Sequence, residues 1–244
     1  MTKTRRRGGR LIAGALAVVV MGFAARVEAQ TVDHEYQTWL GLFAQGPIHG
    51  RLFFQGDLHY RVYADFTPYA ALVRPGVAWQ LVPGMFVTVG YAWTPSWSRP
   101  DQAVEDFIDE HRVWEQWQYE FPLVGGALRL QLRTRLEERW RPSVGGDTGV
   151  RFRQMLRVTV PLGVGGRWVL AVWDEIFFGL NDTDWRQRQG FDQNRVFGGV
   201  GYWFVPGALR VEVGYFNQYI QRPGHPAGDL SNHAAMVNAY VVWR

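Results

Sequence analysis

Between residues 128 and 141 the side chains split by parity. Arg129, Gln131, Arg133, Arg135, Glu137, Arg139 and Arg141 alternate with Leu128, Leu130, Leu132, Thr134, Leu136, Glu138 and Trp140. A period of two is the signature of a β-strand with two unlike faces. The same alternation, interrupted by Gly, Pro and Asn, predicts strands at about 34–44, 51–63, 69–81, 85–95, 109–121, 128–141, 150–160, 167–178, 191–204, 208–220 and 231–243. Eleven segments are an uncomfortable count, because single-chain bacterial barrels close with even numbers of strands. Either the stretch around Tyr36–Ala44 is a strand or plug outside a ten-stranded wall, or a twelfth strand lies in one of the longer connections.

The first thirty residues add a compartment. Arg5, Arg6, Arg7 and Arg10 precede an apolar run from Leu11 to Ala25, and Val27-Glu28-Ala29 offers small residues for cleavage after Ala29. The run is too short for a membrane-spanning helix. Arg5-Arg6 continues into Arg7-Gly8-Gly9 rather than a hydrophobic pair, so ordinary secretion is expected over twin-arginine export. The expected organisation is a signal peptide at 1–29 and a single barrel domain at 30–244.

An exported chain of alternating strands places its leucine face against lipid and its arginine face inside a barrel. The predicted fold class is therefore all-β, an antiparallel transmembrane β-barrel of 10–12 strands of the outer-membrane type. Short turns are expected at Val82-Pro83-Gly84, Pro122–Ala127, Leu162–Gly166 and Val205-Pro206-Gly207, on the periplasmic side. Long external loops are expected at Ser96–Ile108, Pro142–Gly149, Gly179–Gly190 and Gln221–Leu230. Trp243 near the C-terminus suits recognition by barrel-assembly machinery, although Arg244 after it is atypical.

Composition agrees with this class. Twelve Trp, ten Tyr and fifteen Phe provide interfacial aromatics, and cysteine is absent, which excludes disulfides, thiol catalysis and Cys-ligated zinc. The chain carries 26 Lys+Arg against 22 Asp+Glu. The leader holds six of those bases and one acid, so the mature chain is nearly neutral and its charge gives no support for nucleic-acid binding. Every basic residue after the leader is arginine, which keeps its charge when enclosed and makes forked bonds to carboxylates.

Parity then assigns faces. Leu52, Phe54, Leu58, Tyr60 and Val62 are expected outward, with Arg51, Gln55, Asp57, His59 and Arg61 inward. The inward charged cluster comprises Arg61, Arg74, Glu110, Arg112, Arg133, Arg135, Glu137, Arg139, Arg153, Glu175, Arg195 and Glu212, beside Arg151, Arg157 and Arg210. Glu110, Glu120, Glu175 and Glu212 are the expected partners of the arginines at 129–141.

The inward residues fall in recurring phrases: Arg74-Pro75-Gly76, Gly90-Tyr91, Glu110-His111-Arg112, Arg133-Thr134-Arg135-Leu136-Glu137 with Arg139, Asp174-Glu175-Ile176-Phe177-Phe178, Phe191-Asp192-Gln193-Asn194-Arg195, Gly214-Tyr215 with Asn217-Gln218, and Asn232-His233. In these phrases the chain resembles an uncharacterised family of proteobacterial outer-membrane proteins, domain of unknown function 2490. The resemblance implies a barrel and an envelope location, and no substrate.

Three functional readings follow. The first is a non-enzymatic structural or interaction barrel with an Arg/Glu-filled lumen, whose partners are membrane lipid and lipopolysaccharide. The alternative is a narrow, porin-like channel or transporter preferring anions, with a small solute as ligand. The third is a lipid-modifying enzyme built on Ser231-Asn232-His233, where Ser231 and His233 share a face and a triad would need a residue from another strand. No catalytic residue, cofactor or metal is assigned. His34-Glu35 and Glu110-His111 lack a second histidine at ligand spacing. Asp182, Asp184 and Asp192 could hold a divalent cation but read better as a solvated acidic loop.

Overall fold

The computed structural model describes residues 31–98, 107–163 and 165–244. The expected signal peptide and residues 99–106 lie outside the described residues. All eleven predicted segments are strands: β1 (Val32–His49), β2 (Leu52–Tyr63), β3 (Pro68–Val82), β4 (Met85–Trp97), β5 (Phe107–Leu123), β6 (Leu128–Trp140), β7 (Gly149–Leu162), β8 (Trp168–Gly179), β9 (Gly190–Val205), β10 (Leu209–Ile220) and β11 (Asp229–Val242). Each pairs with its sequence neighbours, and the sheet closes on itself through β1 and β11.

That closure resolves the odd count. The first segment is neither a plug nor outside the wall, and the even-number rule does not hold here. β1 runs parallel to β11 in unbroken register from Val32↔Asp229 to Gln45↔Val242, whereas every other pair is antiparallel. An unclosed sheet would expose two rows of unpaired N–H and C=O groups, which closure removes whether the last pair is parallel or antiparallel. The residues of β1 suit a wall: Gln37 and Trp39 are buried, while Tyr36 and Leu40 are exposed on the other face.

Connections alternate in length around the barrel. Residues 50–51, 83–84, 124–127 and 206–208 make short turns at one rim, where 163 and 165–167 also lie. Among the described residues, the connections at 64–67, 141–148, 180–189 and 221–228 lie at the other rim, and most of them are longer. Gly84 shows why the turn chemistry is specific: its φ is +82°, and a Cβ there would stand 2.3 Å from the Glu120 carbonyl oxygen.

The outer face carries exposed Leu58, Val73, Val77, Val87, Val89, Val113, Val200 and Val213. Aromatics flank this band, with Trp79, Trp168, Phe204 and Trp243 toward the short-turn rim and Tyr36, Tyr60, Trp93, Trp97 and Phe107 toward the other. The outward face is not wholly apolar. Glu115 and Glu138 also lie exposed on it, and Thr134 donates to Gln154 across β6 and β7 at 2.6 Å.

One facial assignment needs correction. Arg51 sits in the exposed turn at 50–51, outside any strand, so its parity places it nowhere inside. Val62 keeps the outward parity, level with Thr38 across β1 and alternating with inward Arg61, but it is buried there beside a register shift against β3.

Candidate functional site

Alternation sends a dense set of polar side chains inward. They border one cavity of about 1090 Å³ that runs along the barrel. Val144, Arg186 and Ile220 line it toward the long-connection rim, and Arg129, Gly166 and Val242 toward the short-turn rim. Fourteen arginines line the cavity against five carboxylates, Asp57, Glu110, Glu120, Glu175 and Asp192. Glu137 and Glu212, both fully buried, lie behind that surface.

The structure brings most of the charged cluster together through Glu137. Its carboxylate lies 2.5 Å from Arg153 and 2.6 Å from Arg151, with Arg135, Arg112 and Arg74 at 3.7, 3.8 and 3.9 Å. One buried carboxylate thus draws five guanidiniums from β3, β5, β6 and β7 around itself. Glu175 accepts from Arg133 at 2.7 Å and from Arg153 at 2.9 Å. Glu110 accepts from Arg112, Arg139 and Arg141 at 2.6, 2.8 and 2.5 Å. In a low-dielectric interior each pair is strong, and isolating either member would be costly.

The expected partners of the 129–141 arginines are three-quarters right. Glu110, Glu120 and Glu175 take Arg139 and Arg141, Arg129, and Arg133 respectively. Glu212 instead pairs with Arg157 and Arg210, since β10 lies three strands from β7 around the wall and four from β6. Glu137, in the same strand as the arginines, is the more central acceptor.

Glycine shapes the wall behind these charges. Gly76 and Gly90 oppose each other across β3 and β4, and the Trp114 ring lies over both. That indole becomes the surface on which the Arg135 guanidinium rests, 4.5 Å from the ring centroid. The glycines of two of the phrases quoted above therefore make room for an aromatic carried by a third strand.

Several lumen residues were not singled out from sequence. Trp39 is buried, donates from Nε1 to Gln37 Oε1 at 2.8 Å, and has Arg61 3.8 Å and Arg195 5.4 Å from its ring centroid. Inward parity at 37 and 39 could have found it had the first segment been placed in the wall. Trp185 had no periodic signal at all, since it belongs to the loop at 180–189. That loop folds inward: Trp185 donates to the Asp147 carbonyl at 2.7 Å and lies near the Arg139 and Arg141 guanidiniums, while Gln187 accepts from Arg139 at 3.0 Å.

The acidic residues of this loop are engaged in holding it. Asp184 accepts from the Gly146 amide at 2.8 Å and Asp182 from the Gln189 amide at 2.7 Å, while Asp192, in β9, accepts from Arg151 at 3.2 Å. Among the described residues no group of three His, Cys, Asp or Glu side chains converges as a metal site. Glu110 points inward to its arginines, whereas His111 points outward and contacts Tyr91 and Asp109.

Ser231 and His233 share the outward face, as parity requires, and β10 supplies the third type, Asn217. The geometry is poor for proton transfer. Ser231 Oγ stands 3.5 Å from His233 Nε2, while the His34 Nδ1 is closer to that nitrogen at 2.9 Å. Asn217 donates to Ser231 Oγ at 2.9 Å and does not orient the imidazole, whose Nδ1 meets the Tyr215 hydroxyl at 2.6 Å. Ser231 is itself only 7% exposed. A nucleophile needs a base within hydrogen-bond reach and an approach for its substrate.

Residues 36–229 match the model of a family described as protein of unknown function, DUF2490. An uncharacterized protein of Methylorubrum extorquens is 30% identical over 96% of this chain and 98% of its own length. Among solved structures, the chain is similar to the NanC porin, with a TM-score of 0.45 and 11% identity over 80% of this chain and 93% of that one.

Proposed function

We propose that this chain, which belongs to the DUF2490 family of proteins of unknown function, is a non-enzymatic barrel of the bacterial outer membrane whose lumen is a narrow path for small anions. The observation that carries this reading is the cavity lined from both rims, bordered by fourteen arginines and five carboxylates. A pore wall with excess fixed positive charge raises the local concentration of anions and repels cations. The membrane location is supported by the closed sheet, its exposed apolar band with flanking aromatics, and the alternation of turn lengths. The lipid and lipopolysaccharide contacts expected of such a barrel belong to this proposal, as does export by a cleaved leader.

A second reading has its own support. Glu137 gathers five arginines at mid-barrel, and the loop bearing Trp185 narrows one mouth. If these groups block water, the barrel is a structural or interaction protein. Planar-bilayer recording of the purified protein separates the two. A stable step whose reversal potential shifts toward the chloride equilibrium potential in a salt gradient supports the path. Silence across voltages, with folded protein confirmed by resistance to unfolding in detergent, supports the closed barrel. The anion preference should weaken as ionic strength rises, because the fixed charges are then screened.

A further inference from the structure

Twelve of the arginines lining the cavity stand in strands, and ten of these have a carboxylate within 4.0 Å. Arg61 on β2 and Arg195 on β9 are the exceptions among the described residues. Both guanidiniums converge on one indole, Trp39, at 3.8 and 5.4 Å from its centroid. The Nε of each is enclosed and has no hydrogen-bond partner. Among the described residues Arg195 donates a hydrogen bond only to Gln193, at 3.5 Å, and it also lies 4.6 Å from the Phe177 ring centroid. Two like charges at one indole, each with an unsatisfied donor and no carboxylate partner, are costly in an enclosed place unless an anion joins them.

The floor between them is fixed. Gln37 accepts from both Trp39 and the Tyr69 hydroxyl, at 2.8 and 2.5 Å, and donates to Asn232 at 3.0 Å. Trp39 and Trp173 both pack on Phe216, with centroids 4.5 and 5.7 Å away, and Trp173 borders the cavity. We infer that Arg61 and Arg195 form a binding station for a small organic carboxylate, its carboxylate received by the two guanidiniums and its apolar body lying along the Trp173 and Phe216 side of the lumen. Guanidinium forks match the planar geometry of a carboxylate, and aromatic faces favour an organic anion over an inorganic one. The station rests on the proposal above in requiring a lumen that solutes can enter.

The test is calorimetric titration of the purified full-length mature protein in detergent at low ionic strength, with benzoate as probe. Benzoate is expected to bind saturably and inorganic phosphate at least about tenfold more weakly. Arg61→Gln and Arg195→Gln should each weaken benzoate by about tenfold or more, the loss of a charge-assisted bond, whereas Arg167→Gln, outside the cavity lining, should leave it unchanged. Arg61→Lys and Arg195→Lys keep the charge but lose the fork, so they should also bind benzoate more weakly, and they serve if the Gln variants fail to fold. Absence of benzoate binding, phosphate binding as tightly, or unchanged binding in the folded variants would overturn the station. Bilayer recording is read separately. Binding without conductance sinks the path and keeps the station, while conductance without benzoate binding does the reverse.

Discussion

The Glu137 carboxylate and the Arg153 guanidinium meet at 2.5 Å in a part of the lumen where Glu137 has no exposed surface. Arg151 joins the same carboxylate, and three further arginines lie within 4 Å of it. Removing the charge while keeping the shape leaves those guanidiniums facing one another. Glu137→Gln is expected to destabilise the barrel by about 3–5 kcal/mol, the cost of breaking a buried ion pair from one side. Urea unfolding in detergent, followed by tryptophan fluorescence, reads this directly. An unchanged midpoint would mean that the arginines are neutralised by other groups.

Parallel closure has a consequence for topology. Val32 is level with Asp229 and Gln45 with Val242, so the start of β1 and the end of β11 lie at opposite rims. An epitope inserted between Thr31 and Val32 should therefore be reached by antibody on the opposite side of the membrane from one appended after Arg244. With the long connections external, the first is labelled on intact cells and the second only after permeabilisation. Labelling of both from one side would exclude the parallel pair.

Gly90 is expected to tolerate no side chain. A Cβ there would stand 2.4 Å from the Pro75 carbonyl oxygen and 2.4 Å from the Trp114 ring. Gly90→Ala should displace the indole that supports Arg135 and cost about 1–3 kcal/mol, the range for overpacking. Thermal unfolding checks the magnitude, and the double variant with Trp114→Phe should recover part of the loss because the smaller ring clears the new methyl.

Hydrolysis at the outer face is not expected. The His34 ring nitrogen, and not the Ser231 hydroxyl, is the near neighbour of His233 Nε2, at 2.9 against 3.5 Å. Purified protein in phospholipid mixed micelles should release fatty acid at the detergent background rate, with Ser231→Ala indistinguishable. Release that falls to background in Ser231→Ala would identify an esterase and overturn the non-enzymatic reading.

Much of the barrel was legible because strand alternation is a local property. The parity of Leu128 to Trp140 survives in the structure, where Arg135, Glu137 and Arg139 are buried and Leu136 is exposed. The phrases around Gly76 and Gly90 were visible as strings, but their reason was not, since Trp114 arrives from the following strand, β5, in a pairing register that the strings do not show. Trp39 stayed hidden behind the undecided place of β1. Trp185 stayed hidden because a loop has no period, and its inward course depends on bonds to residues 145–150.

Alternation, turn residues and the arginine-only basic set were enough to specify strands, faces and a charged interior, because each follows from the pleat and from the chemistry of single side chains. Which charges neutralise which required the closed sheet. Strand order around the cylinder puts β7 three strands from β10, and closure through the β1 and β11 pair brings β2 and β9 to the same indole. Pairing across a lumen depends on curvature and stagger accumulated over eleven strands, and no short stretch of chain encodes that sum.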